Sequence, residues 1–169
     1  MSNHEYAYLG PVGWKRFLEV YRIEGEALVC ADSKSTTAEE FEDLANEKMD
    51  RLVWDEEELL DASGLDLGIV STVFALYAFK CYPLTSCRGH PGDTGTGDCP
   101  KVVFFATPDR APGLVRAASA SNVGLQNYEP GEWPAIMASG RNLTDIRKFS
   151  MELFHVHALS LKSGRPPKR

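Results

Sequence analysis

The chain has 169 residues, 43% of them hydrophobic and 25% charged, which are the proportions of one globular domain with its own core. Its net charge of −6 argues against nucleic acid as a partner, because phosphate binding depends on Lys and Arg. The sequence contains no apolar run of membrane-spanning length and does not open with a secretion signal. We therefore expect a cytoplasmic protein without membrane contact, folded over residues 1–161 and followed by a basic, disordered tail at 162–169.

The first predicted element follows Gly13. Residues 15–23, "KRFLEVYRI", and 25–31, "GEALVCA", predict a β-hairpin that turns at Glu24-Gly25. A helix is the alternative, because four apolar residues also fit one helical face: Trp14, Phe17, Leu18 and Tyr21. Cys30 lies in an apolar run and is predicted to be buried.

An acidic segment follows. Thr37 and Glu40 have the spacing of a capping box and predict that a helix begins there. Between Glu39 and Asp66 the chain has twelve acidic residues and only two basic ones. A solvated helix face is the simpler interpretation, and a docking face for a basic partner is the alternative.

The remaining elements predict a mixed sheet flanked by helices. Asp66 is expected to cap a buried helix over 67–80, and "KVVFFAT", 101–107, has the apolar continuity of a central strand. Pro108 and Gly124 are expected to bound a helix, and 125–129 and 134–139 read as two edge strands. Residues 142–162 form an amphipathic helix. The predicted fold class is therefore α/β or α+β, with a single domain.

The segment from 81 to 100, "CYPLTSCRGHPGDTGTGDCP", is the predicted functional site. Four of its residues are zinc-ligand types: Cys81, Cys87, His90 and Cys99. If 81–87 is extended, however, its ends lie about 20 Å apart, at roughly 3.3 Å per residue, too far for one metal. The last three alone would form a three-ligand site with an open position, the catalytic pattern.

Nucleophilic chemistry is the second interpretation of this segment. Cys87 would stand where a strand meets a glycine-rich loop, with Arg88 as anion clamp and His90 as acid/base. His155 and His157 could be distant bases, but they cannot share one helical face and are expected at or near the surface. A third interpretation is a mobile connection between strands, with Cys81 and Cys87 buried and Cys99 in a loop.

One part of the chain resembles a set of small, uncharacterised bacterial proteins. They share a buried helix, a T-S-C-x-G loop, a V-x-F-x-A strand and a helix ending near V-G-L. Here the loop is Thr85, Ser86, Cys87 and Gly89, the strand is 103–106, and the resemblance covers about 65–125. It implies a compact α/β unit and favours the Cys87 loop as the site, but it implies no activity.

The function expected first is that of a non-enzymatic accessory protein that binds a protein partner, such as an immunity or regulatory protein of a bacterial conflict system. Its expected contact residues are Glu56, Glu57 and Glu58. The alternatives are a small enzyme or ligand sensor centred on Cys87, and a zinc-stabilised module. No cofactor is expected under the first hypothesis, and zinc only under the last.

Overall fold

The computed structural model describes residues 13–34, 37, 40–41, 43–44, 47, 65–89, 99–128 and 134–162. Its elements in chain order are α1 (Trp14–Lys34), α2 (Val70–Ala78), β1 (Tyr82–Cys87), β2 (Lys101–Phe105), a short 3-10 helix (Pro108–Arg110), α3 (Ala111–Ser121), β3 (Gly124–Tyr128), β4 (Ala135–Ser139) and α4 (Leu143–Lys162). The described positions between 40 and 47 are also helical.

The four described strands form one antiparallel sheet in the order β1-β2-β4-β3. All four named helices contribute to a core on the sheet face that carries Val102, Phe104 and Ala138. This arrangement confirms the predicted mixed sheet flanked by helices and identifies it as α+β, because every neighbouring pair of strands is antiparallel.

The position of β2 in the sheet confirms the predicted central strand. Val102, Val103 and Phe104 are at most 4% exposed, although successive strand residues point to opposite faces. The prediction that 134–139 is an edge strand was wrong, because β4 lies between β2 and β3. β4 pairs with β2, which lies more than 30 residues earlier in the sequence. The five residues of β4 alone do not indicate whether the strand lies at the edge or in the interior of the sheet.

Helix α1 shows that the hairpin interpretation was wrong and the helical alternative right. Its buried residues recur at helical spacing: Phe17, Val20, Glu24, Ala27 and Ala31. The helix continues through Gly25, where the turn was predicted. Leu18 is 39% exposed, and Cys30 is only half-buried because it lies beside that stripe and not on it.

Helix α2 is buried as predicted, since every residue of it except Tyr77 belongs to the buried class. The predicted cap, however, was wrong. The carboxylate of Asp66 accepts a hydrogen bond from the backbone N–H of Arg88, and the N-terminus of α2 is capped from α1 instead. There Glu24 accepts hydrogen bonds from the backbone N–H groups of Gly68 at 2.9 Å and Ser71 at 3.3 Å.

Polar residues cap the ends of the other helices. The Thr37 hydroxyl accepts a hydrogen bond from the N–H of Glu40, as the predicted capping box requires. Helix α3 ends at Ser121 and is capped by Asn122, whose φ of 60° is left-handed, so the prediction that Gly124 ends the helix was wrong. Asn142 caps α4 by accepting from the N–H of Asp145.

The amphipathic helix predicted over 142–162 is confirmed by α4, which includes Lys162. The rest of the predicted tail, 163–169, lies outside the described residues. His155 is exposed and His157 is half-buried, as expected, with the His157 ring stacked on Trp14 at 5.0 Å between centroids. Within the described ranges, we find no helix that combines the length and apolar character needed to cross a membrane.

Candidate functional site

The predicted cysteine segment, 81–100, contains strand β1 and the loop that connects it to β2. Cys87 ends β1 and is half-buried, and Cys99 lies two residues before β2 and is exposed. The Cα atoms of Cys87 and Lys101 are ladder partners, so both cysteines belong to the same end of the hairpin. His90 and the rest of the loop, 91–98, lie outside the described residues.

The residues after Cys87 bring a backbone donor to its sulfur. Gly89 has a φ of 80°, a left-handed conformation that residues with a Cβ rarely adopt. Its backbone N–H donates a hydrogen bond to the Cys87 Sγ at 3.4 Å. The half-buried Cys87 sulfur therefore has a backbone donor beside it. This contact is the one described feature that favours chemistry at Cys87.

Arg88 packs inside the protein. It is only 7% exposed, and its guanidinium carbon lies 5.9 Å from the centroid of the Phe41 ring, a cation–π contact. Burial lowers the pKa of its guanidinium. A side chain in this position offers little surface to a substrate, so its role as an anion clamp stays a prediction.

Cys81 lies in the hydrophobic core. Its side chain is fully buried, and burial raises the pKa of its thiol to about 12, with Asp109 adding to the rise and Arg110 opposing it. Zinc binds the thiolate, so zinc binding at Cys81 would require deprotonation of this buried thiol, which costs free energy. Over the described ranges, no three His, Cys, Asp or Glu residues come together as a metal site would require.

A buried polar cluster joins three helices and was not anticipated from the sequence. Glu24 on α1 is fully buried, and its Oε2 lies 3.3 Å from the Nε of Arg147 on α4. The Arg147 Nη2 donates a 2.8 Å hydrogen bond to the carbonyl of Tyr21, and its guanidinium lies 4.4 Å from the Tyr21 ring centroid. Burial raises the pKa of Glu24, while the Ser71 hydroxyl, Arg147 and two backbone N–H groups act in the opposite direction. These hydrogen bonds and the ion pair link α1, α2 and α4.

An apolar groove lies between α3 and the edge of the sheet. Its volume is about 330 Å³, at the small end of the range for ligand pockets. Its walls come from α3, β3 and β4: Ala111, Leu114, Val115, Leu125, Gln126, Asn127 and Ile136. Val115 stands at its rim and is 58% exposed.

The surface around this groove is almost free of charge. We call it the α3–β3 surface and define it as the groove, strand β3 and the six exposed residues of α3: Ala111, Pro112, Val115, Arg116, Ser119 and Ala120. Arg116 is its single charged residue, although a quarter of the chain is charged. The low charge is visible in the sequence, because 111–128 has one charged residue in eighteen. Only the fold shows that these residues form one surface.

No family model, curated protein or solved structure matches the chain. The resemblance drawn from Thr85–Gly89 and 103–106 therefore stays a prediction.

Proposed function

We propose that this chain is a non-enzymatic accessory protein that acts by binding a protein partner, and that the α3–β3 surface is its binding surface. The observation that carries the proposal is the coincidence of the apolar groove with the surface that lacks charge. Cores of protein interfaces are depleted of charged residues, and exposed apolar patches rimmed by polar groups are common at binding sites.

The groove also has the form that a partner side chain can enter. The rim residue Val115 and the floor residues Leu125 and Ile136 supply apolar contact, while the exposed amide of Asn127 supplies a donor and an acceptor beside it. An apolar anchor with a polar rim is the arrangement typical of interface hot spots.

The acidic segment, 39–66, is the second candidate for the partner-binding surface. Glu56, Glu57 and Glu58 lie outside the described residues, so their role rests on the sequence alone. A role in immunity or regulation within a bacterial conflict system is the more specific form of the proposal and depends on the partner's identity.

The two surfaces can be separated by capture experiments with the tagged full-length chain in cells of its source organism. Val115→Lys changes the α3–β3 surface, and the triple variant Glu56→Lys, Glu57→Lys, Glu58→Lys changes the acidic segment. Val29→Lys is the matched control, because Val29 is also an exposed helical valine, 71% exposed, and lies on α1. A captured protein is then purified and its affinity for each variant measured.

The proposal predicts that Val115→Lys weakens binding of the purified partner at least roughly tenfold, a loss of about 1.4 kcal/mol, while Val29→Lys binds as the original chain does. Equal binding by Val115→Lys and the original chain would contradict the α3–β3 surface. Loss of binding only in the acidic triple variant would assign the contact to that segment instead.

A further inference from the structure

The two edge strands of the sheet differ in how they are protected. β1 contains Pro83, follows Lys80, and has an irregular register between Pro83 and Thr85. Proline, lysine and bulges are the devices that keep an edge strand from pairing with another chain. β3, "GLQNY", contains none of them and carries no charge.

Strand β3 lies at one edge of the sheet formed by the described strands. It pairs with β4 on one side, and among the described residues no other strand pairs with it. Gly124, Gln126 and Asn127 are exposed. The outward backbone N–H and C=O groups of an edge strand form a template for another strand.

Charge indicates which strand fits this edge. Two copies of a chain with net charge −6 repel each other over most of their surfaces. The α3–β3 surface, as defined by its described residues, holds no carboxylate, and its single charge is Arg116. Two copies that pair along β3 therefore bring no carboxylate of β3 or of α3 against each other.

The strand is also compatible with itself. If two β3 strands pair antiparallel about Gln126, Leu125 of each copy lies opposite Asn127 of the other, and no like charges meet within the strands. Leu125 and Asn127 line the groove, so the same pairing brings the grooves and the exposed valines of α3 side by side.

We propose that the occupant of the α3–β3 surface is a second copy of this chain, joined through antiparallel pairing of β3 about a two-fold axis at Gln126. The described strands of the two copies then form one sheet of eight, four from each copy. The location of this contact rests on the proposed function, and its occupant is the new element. Two-fold symmetric dimers are the commonest homo-oligomers of soluble proteins.

The test measures the mass of the full chain by light scattering over a wide range of concentration, from the 18.7 kDa monomer upward. The original chain and Val29→Lys are expected to reach twice the monomer mass. Gln126→Lys is expected to weaken the dimer at least roughly fivefold, because it sets like charges opposite each other at the axis. An equimolar mixture of Gln126→Lys and Gln126→Glu chains is expected to restore the dimer, since opposite charges then meet.

A monomer at every concentration would overturn the second copy as occupant and would leave the binding of a different protein to be decided by the capture experiment. A dimer that Gln126→Lys and Val115→Lys both leave unchanged would place the contact elsewhere and would also overturn the inference. If Gln126→Lys fails to fold by circular dichroism, Val115→Lys, an exposed helical position, supplies the same comparison.

Discussion

The buried Glu24 on α1 and the largely buried Arg147 on α4 form an ion pair, with 3.3 Å between Oε2 and Nε, and they are 123 positions apart in the chain. The same carboxylate caps α2, so one side chain links three helices. A carboxylate stays buried only when its hydrogen-bonding capacity is met, and here arginine and backbone N–H groups meet it. This pair holds the helical layer on which α3 and the sheet are packed.

Replacing Arg147 should destabilise the fold strongly. Arg147→Met keeps the apolar stem but leaves the Glu24 carboxylate without its counter-charge, and such a loss costs about 3–5 kcal/mol. Urea unfolding at neutral pH measures it. Arg22→Met is the control, because Arg22 pairs with Glu26 on the exposed side of α1 and its loss should cost about 0–1 kcal/mol. Equal effects of the two substitutions would show that the buried pair does not brace the helices.

The pH dependence of stability should carry the signature of Glu24. Burial raises its pKa in the folded state above the ordinary value of 4.5, so the folded chain holds this proton to higher pH than the unfolded chain does. Its contribution to stability is then complete below pH 4.5 and is lost as the pH rises through the folded pKa. The difference in unfolding free energy between the original chain and Glu24→Gln should fall over that window. A difference that grows with pH would mean that Arg147 and the amides outweigh burial.

Gly25 should show why a glycine stands inside α1. A Cβ at this position would lie 2.9 Å from the Arg147 Nη2, which Glu24 and the Tyr21 carbonyl hold in place. Alanine normally stabilises a helix interior by about 0.5–1 kcal/mol relative to glycine. We expect Gly25→Ala to give no such gain in the original chain and to give it in the Arg147→Met background. The same gain in both backgrounds, measured by urea unfolding, would show that the close contact is without consequence.

The thiols should react with iodoacetamide in the order of their exposure. Cys99 is exposed and should label first, Cys87 and Cys30 are half-buried and should follow, and Cys81 should stay unlabelled in the folded chain because it is buried and its pKa is about 12. Mass spectrometry of tryptic peptides gives each rate. Cys87 reacting faster than Cys99 at neutral pH would favour the enzyme or sensor hypothesis, since exposure alone cannot produce that order.

The zinc hypothesis makes a separate prediction about the zinc content of the purified protein. The protein purified under reducing conditions without chelator should contain zinc in equimolar amount if Cys87, His90 and Cys99 bind it, and Cys99→Ser should then lose it. Elemental analysis of both forms decides between a zinc module and the binding function proposed above, which expects no stoichiometric metal in either form.

Local patterns in the sequence were sufficient for some elements and not for others. The spacing of Phe149 and Leu153 identified α4, and the apolar run at 101–107 identified β2, because periodicity and continuity are properties of a short segment. The stretch around Gly25 contains aromatic and β-branched residues that favour strands, and the packing of α1 against α2 overrode that preference.

The site was harder to predict, because its parts meet only in the fold. Glu24 could be noticed as an acidic residue in an apolar stripe, but nothing local connects it to Arg147. The composition of the cysteine segment indicated a functional site, but the burial of Cys81 and Arg88 depends on tertiary packing, which the composition does not indicate. The α3–β3 surface is recognisable only once β3 is known to be an edge strand.

The most direct test of the proposed binding surface is site-specific photo-crosslinking in cells of the source organism. A benzophenone side chain is placed at Val115 or Gln126 on the α3–β3 surface, and at Val29 on α1 for comparison. The proposal predicts a discrete crosslinked protein from positions 115 and 126 and none from position 29, and its mass distinguishes a second copy from another protein. A crosslink from position 29 alone, or none from 115 and 126, would contradict it.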